Sequence, residues 1–473
     1  MAVIRRHHVC EARDASEKQF HSNASLRHSQ SIHHSHGAGK LSTLVSPTIR
    51  TRQLANGMTV VSQPMPWLRT AAYTLWLPGG VSAEITPEST DTEMLNRCGL
   101  ASLTVEMVQR GAGNYSSREL VAAEDNLGID SGGSASSSVT SFSAAMPADS
   151  LLPGMELLAD LVRRPHLPID QFDDAKMMLH QEMMACQDEP TQRLMRRLRE
   201  RQFGPRLGRS GIASEESLQA LTMEDVREFY QNNYHAGQSI LAIAGNFDEA
   251  ELDAAIDQAF GDWKTGQWPG LAAPEPAVGY EHIEIASSQT HIGFSFDNIP
   301  YGHPDYFVMR AGIGILSDGM SSRLFERVRE QHGLCYSVWA STNSLPPNPN
   351  SPAGVGAVFG YAGTTPARAQ QTLDLTLHEV KHLADGLEEA ELERWKVRIQ
   401  SSLIMEQESA GSRASSLASD QLQLGRVMPT EEIETMIESI TLDQIRAYYQ
   451  AHAPESIRVL TIGPEPLSSK DLA

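Results

Sequence analysis

From residue 50 onward, the order of apolar and polar positions divides the chain into short strands and amphipathic helices. Thr51–Ser62 reads TRQLANGMTVVS, with Asn56-Gly57 between two extended stretches. That turn signal predicts a strand and hairpin. A second strand follows in Ala71–Leu77 and stops at Pro78-Gly79-Gly80. Residues 91–109 read as one helix. Met94, Cys98, Ala101, Val105 and Val108 recur at spacings of three and four and make a single apolar stripe. Gly111 and Gly113 end it. Ser116 with Glu119 three residues later predicts the capped start of another helix. The serine-rich run Ser131–Ser143 alternates as strands do. Residues 151–164 and 169–187 have helical patterns, the second closed by Glu189-Pro190. Gly354–Gly363, GVGAVFGYAG, lacks the Gly-Lys-Ser/Thr of a phosphate loop and reads as a strand of small residues.

The pattern then repeats. Leu221–Gln231 is LTMEDVREFYQ and Ile440–Gln450 is ITLDQIRAYYQ, with threonine, arginine, tyrosine and glutamine at the same offsets. Each helix leads to an apolar strand, SILAIAG at 239–245 and SIRVLTIG at 456–463, and each strand reaches a glycine. The 219-residue spacing is far too long for a solenoid unit. It predicts a duplicated domain of about 210 residues, a common domain size. Trp263–Ala277 is rich in Pro and Gly and lies where a linker belongs. The expected organisation is a tail over 1–45, a first domain over 46–262, a linker over 263–277 and a second domain over 278–473.

Composition narrows the function classes. The chain has 473 residues and a formal net charge of −21. Residues 1–45 hold seven of the 17 histidines, six bases and only three acids, so the remainder carries 32 bases against 56 acids, or −24. With so little apolar surface, the tail is expected to be disordered. An acidic body argues against nucleic-acid binding and against docking on anionic membranes. No stretch approaches 18 apolar residues, so no membrane-spanning helix is expected. Cys10, Cys98, Cys186 and Cys335 are far apart and form no CxxC pair. They predict neither a disulfide framework nor a cysteine zinc site, and a cytoplasmic compartment is the simplest expectation. The alternative is an organellar matrix, if the Arg-, Ser- and His-biased tail is a transit peptide.

A strand, Pro-Gly-Gly, the acidic Glu84, a helix containing Gly99-Leu100-Ala101 and a duplicated body follow one another in that order. This order resembles the pitrilysin/insulinase-type zinc peptidases, in the branch that includes the mitochondrial processing peptidase. The resemblance covers residue 50 to about 465. It implies an α+β fold of two duplicated domains, each a mostly antiparallel sheet with helices on one face, facing each other as a clamshell. Active members carry an inverted zinc motif, H-x-x-E-H, just after the Gly-Leu-Ala segment, and a further glutamate on a later helix. Histidines at i and i+4 share a helix face, the glutamate between them serves as general base, and the distant glutamate completes three ligands.

Here the aligned segment is Ser102-Leu103-Thr104-Val105-Glu106. Serine stands for the first histidine, valine for the base and glutamate for the second histidine. Glu182 lies 76 residues after Glu106, the separation the family uses for its third ligand. The resemblance therefore implies a degenerate site with no zinc and no catalytic residue of its own. Two carboxylates and a serine would at most suit a hard cation. A relocated metal site would draw on Glu93, Glu106, Glu182 and His180. Residues 319–338 read GMSSRLFERVREQHGLCYSV. Arg329 and Tyr336 match, seven residues apart, an Arg/Tyr pair that by resemblance reaches a peptide bound at a zinc site and supports the charge developing in hydrolysis. On the residues alone, Arg329 pairs with Glu326 on a helix surface and Tyr336 is a core residue of an alternating strand. The segment before Ser321 is only Asp318-Gly319-Met320, shorter than the glycine-rich loop of the processing-peptidase alpha subunit.

Three expectations follow. The first is a non-catalytic, substrate-binding subunit of a heterodimeric zinc metallopeptidase, with zinc held by a homologous partner. Its acidic chamber would favour basic peptides. The second is an inert scaffold or peptide-binding protein of the same fold. The third is an enzyme with a relocated metal.

Overall fold

The computed structural model describes residues 48–468 apart from Pro87, Pro269 and Glu455. The predicted tail, with its histidines and Cys10, lies outside the described residues. Two sheets organise the rest. The first contains β1 (Arg50–Gln53), β2 (Thr59–Pro64), β3 (Thr70–Pro78), β4 (Asp130–Ala135), β5 (Val139–Pro147) and β6 (Ile240–Gly245), in the order β1-β2-β6-β3-β5-β4. The second contains β7 (Tyr280–Glu284), β8 (Thr290–Asn298), β9 (Cys335–Leu345), β10 (Val355–Thr364) and β11 (Arg458–Gly463), in the order β7-β11-β8-β10-β9. The helices that build or support the site are α1 (Leu100–Val108), α2 (Phe172–Asp188), α3 (Pro190–Leu207) and α4 (Met223–Asn233). In the second half they are α5 (Ala369–Lys381), α6 (Ala410–Leu424) and α7 (Leu442–Ala451).

Without β1, the two sheets have one topology. β2 pairs with β6 in parallel, as β7 pairs with β11, and every other pairing in both sheets is antiparallel. The repeat in the sequence has a local cause in each copy. Thr222 caps α4 and Thr441 caps α7, each in a capping box with the residue three positions on, Asp225 or Gln444. Each helix then delivers the chain to an interior strand of its sheet. Those strands, β6 and β11, are buried along their whole length. Such burial requires cover on both faces, which suits the apolar run of β6; in β11 the buried Arg458 and Thr461 are hydrogen-bonded, Arg458 to Gln202 and the Ala277 carbonyl and Thr461 to Tyr280 and His282.

Each sheet receives its own helices on one face. On the other face it receives a helix from the opposite half. Leu194, Leu198, Phe203 and Leu207 of α3 pack on Phe359, Tyr361, Leu460 and Ile462 of the second sheet. Gly293 in β8 allows this approach, since a Cβ there would lie 2.3 Å from Leu194 Cδ2. Reciprocally, Ala410, Ala414, Leu417 and Ala418 of α6 pack on Val61, Ala72, Ile240, Ala242 and Ala244 of the first sheet. Small residues on both sides bring this helix close to its sheet. Polar contacts pin each visiting helix. Arg197 and Arg201 of α3 hold Glu281 of β7 at 2.9 and 2.7 Å. Arg413 of α6 donates to Gln63 Oε1 of β2 at 2.5 Å.

The single helix expected over 91–109 is broken. Asp91–Asn96 and α1 are separate, because Gly99 adopts φ +86, a left-handed conformation that a side chain disfavours. The break frees the first amides of α1, and Glu84 fills the position in front of them. Its Oε1 accepts from the Ala101 amide at 3.0 Å, and its Oε2 accepts from Arg209 at 2.7 Å. Both side chains are buried. An anion at this end complements the helix dipole. Burial pushes the Glu84 carboxyl up to about 7, against the opposing pull of Arg209 and of the Ala101 and Gly99 amides.

Two outcomes follow. Arg209→Met leaves Glu84 buried without its partner and is expected to cost about 3–5 kcal/mol of stability. A carboxyl with a raised folded pKa holds its proton more tightly when folded than when unfolded. Wild type and variant lose that contribution alike between about 4.5 and 7, so the extra loss in the variant grows as pH rises above about 7, and denaturant titrations at pH 5 and pH 8 read the difference. Leu198→Ala removes a buried anchor of α3 and is expected to cost about 2–5 kcal/mol. Because α3 belongs to one half and packs in the other, the variant still melts in one cooperative transition by calorimetry.

Candidate functional site

Helices α1 and α2 bring the degenerate positions together. Ser102, Val105 and Glu106 lie on α1, and Glu182 lies on α2. Ser102 Oγ donates to the Gly211 carbonyl at 3.0 Å. Val105 is buried against β4, where a Cβ on Gly133 would come within 2.8 Å of Val105 Cγ1. Glu106 is held by Arg110 one turn along α1, at 3.1 Å. Desolvation raises the Glu182 carboxyl above its ordinary range, and the charge of Glu106 raises it further. The two carboxylates therefore feel each other across the α1–α2 contact, as the 76-residue register implies.

The donor set does not fit zinc. A catalytic zinc site needs three protein ligands and one open position. Here the serine hydroxyl is committed to a carbonyl, the valine has no donor, and one of the two glutamates is ion-paired with Arg110. The relocated set does not assemble either. Glu93 closes the capping box of Thr90, and His180 lies 3.8 Å from Glu215. Among the described residues, no group of three or more His, Cys, Asp or Glu side chains is placed to hold a metal.

The second half presents Arg329 and Tyr336 outward. Leu324–Gln331 is a π-helical segment that carries Arg329. The Arg329 guanidinium lies over the Phe325 ring at 4.5 Å, and its Nε is 3.6 Å from Glu330. The pairing with Glu326 expected from the residues alone is not the one formed. The stack on Phe325 orients the planar cation and leaves it accessible. Tyr336, near the start of β9, is 86% exposed. Its role as a core residue is thereby overturned, because the alternation puts Cys335 inward and Tyr336 outward. The exposed phenol and the partly exposed guanidinium are each able to donate a hydrogen bond to a carbonyl or oxyanion on another molecule.

The segment around these residues is firmly built. Arg323 is buried, holding Glu391 with two bonds of 2.8 and 2.9 Å and the carbonyls of Asp385 and Gly386. Arg327 holds the buried Glu379 at 2.7 Å. Two supports escaped the sequence reading. Arg209, the partner of Glu84, is one. The signal for it was the lone acid of Gly80–Glu84, which needs a counter-charge if buried. The other is Arg199 of α3, which reaches Ser137 at 3.0 Å and packs over Phe203. Burial without a carboxylate partner lowers its pKa to about 10.

Cys98, Cys186 and Cys335 are free thiols. Among the described residues, no helix is long and apolar enough to cross a membrane.

Comparison with known proteins gives the same frame. Residues 90–213 match the family profile "Insulinase (Peptidase family M16)", and residues 220–398 match "Peptidase M16 inactive domain". An uncharacterized zinc protease of Streptomyces coelicolor is 24% identical over 428 residues, 88% of this chain and 90% of that protein. The uncharacterized zinc protease YmxG of Bacillus subtilis is 24% identical over 412 residues, 86% of this chain and 97% of that protein. Among solved structures, a peptidase M16 inactive domain from Pseudomonas fluorescens superposes with a TM-score of 0.76 at 21% identity. It covers 89% of this chain and 99% of its own. A chain of complex III2 from Candida albicans superposes with a TM-score of 0.72 at 17% identity, covering 88% and 96%. The two profiles together span more than half of the chain, and the fold agrees with them: the chain belongs to the insulinase (M16) peptidase family.

Proposed function

We propose that this chain is a non-catalytic, substrate-binding subunit of a heterodimeric zinc metallopeptidase. One observation carries the reading. Ser102, Val105 and Glu106, which stand where the resemblance puts the zinc motif, offer no zinc-ligand set, while Tyr336 is exposed and Arg329 is partly exposed in the segments that match the family's Arg/Tyr pair. A chain that had lost all function in peptide hydrolysis would have no use for an accessible cation and phenol at the family's positions. In this reading a homologous partner supplies zinc and the general base. Arg329 and Tyr336 donate to the peptide carbonyl as it becomes an oxyanion. The acidic body draws extended, basic peptides toward the chamber. The free cysteines agree with a reducing, cytoplasmic compartment. Neither nucleic acid nor a membrane surface is a partner.

The second reading is a catalytically inert scaffold or peptide-binding protein of the same fold, in which neither residue contributes to turnover. The two readings separate in a reconstituted complex with a zinc-bearing H-x-x-E-H subunit. Arg329→Ala and Tyr336→Phe are each expected to lower kcat by about 10²–10³-fold, the effect of losing one donor to an oxyanion. Both residues are accessible, so Tm should stay within a degree or two. Full activity with both substitutions would establish the scaffold instead.

A further inference from the structure

The last turn of α5 carries His378-Glu379-Val380-Lys381-His382, an H-E-x-x-H sequence. In zinc peptidases this spacing puts two imidazoles on one helix face and a general base beside them. Here the two functions come apart. Glu379 is buried and held by Arg327 through both carboxylate oxygens, at 3.0 and 2.7 Å. It is therefore withdrawn from any base chemistry. The histidines are the reverse. Both are exposed, and their rings lie 4.2 Å apart between centroids, 29° from parallel.

His382 also has the orientation of a metal ligand. Its Nδ1 is 2.9 Å from the His378 carbonyl. An Nδ1–H donated to a backbone carbonyl fixes the tautomer with Nε2 unprotonated and free to coordinate. His382 is the C-cap of α5, so the pair sits at the negative end of the helix dipole, where a cation is favoured.

We infer that His378 and His382 form a surface chelate for a borderline divalent metal such as Zn²⁺, Ni²⁺ or Cu²⁺, the metals that imidazole suits. His378 turns out of the stack so that one nitrogen of each ring binds the ion, and water completes its coordination. The site performs no hydrolysis, because Glu379 is locked away. Its effect is mechanical. A bound ion ties the last turn of α5 and, through Glu379 and Arg327, the π-helical segment that also carries Arg329. The inference does not depend on the proposed subunit role.

The test uses the full chain with the seven tail histidines, His7, His8, His21, His28, His33, His34 and His36, replaced by alanine, so that they contribute no binding. Zn²⁺ titration by calorimetry should find one equivalent bound, with a rise in Tm. His378→Ala and His382→Ala in the same background should each weaken that equivalent at least tenfold and abolish the rise in Tm. Both sites are exposed and alanine favours helix, so the fold is retained, as circular dichroism checks. Absence of the equivalent, or its survival in both variants, would overturn the inference. Survival in both variants with loss in Glu182→Gln would place the ion at the degenerate site instead.

Discussion

The exchange of helices between the two halves is the constraint on which the rest of the structure depends. α3 leaves the first half and covers the second sheet; α6 leaves the second half and covers the first. β6 and β11 are buried on both faces because a helix from the other half lies on each sheet. Without that exchange one apolar face of each sheet would be open. The exchange joins the halves, and with them the α1–α2 contact and the segments carrying Arg329 and Tyr336, into one packed body.

Much of this was legible in the sequence. The capping threonines Thr222 and Thr441 and the strands that follow marked the duplication: the threonines start matching helices, and the strands lie buried within matching sheets. Glu106 and Glu182, 76 residues apart in the sequence, lie on helices that pack together, and the charge of one acts on the other. Other features were not legible. The stripe from Met94 to Val108 reads as one helix, because periodicity carries no information about φ; Gly99 breaks it through a left-handed turn. The crossing of α3 and α6 was hidden because an apolar helix face looks the same whichever sheet it covers. Tyr336 was ambiguous for a related reason. Alternation fixes which residues share a face but not which face meets the solvent.

The α1 helix meets its polar needs within the chain. Glu84 accepts from the Ala101 amide at its start, and Arg209 answers Glu84. Along the helix a hydroxyl is bonded to Gly211, a valine is packed on Gly133 and a glutamate is paired with Arg110. The helix is stable without a metal, and the charge at its surface is already paired. In the second half, by contrast, Tyr336 is exposed and Arg329 partly so.

The most direct test is to isolate the chain gently from its own cells, identify what accompanies it and assay the complex on unfolded basic peptides. The account predicts a homologous H-x-x-E-H chain of similar size in the complex and chelator-sensitive peptidase activity that disappears when the two are separated. Recovery of a homodimer with no activity, or chelator-sensitive hydrolysis by this chain alone, would contradict it.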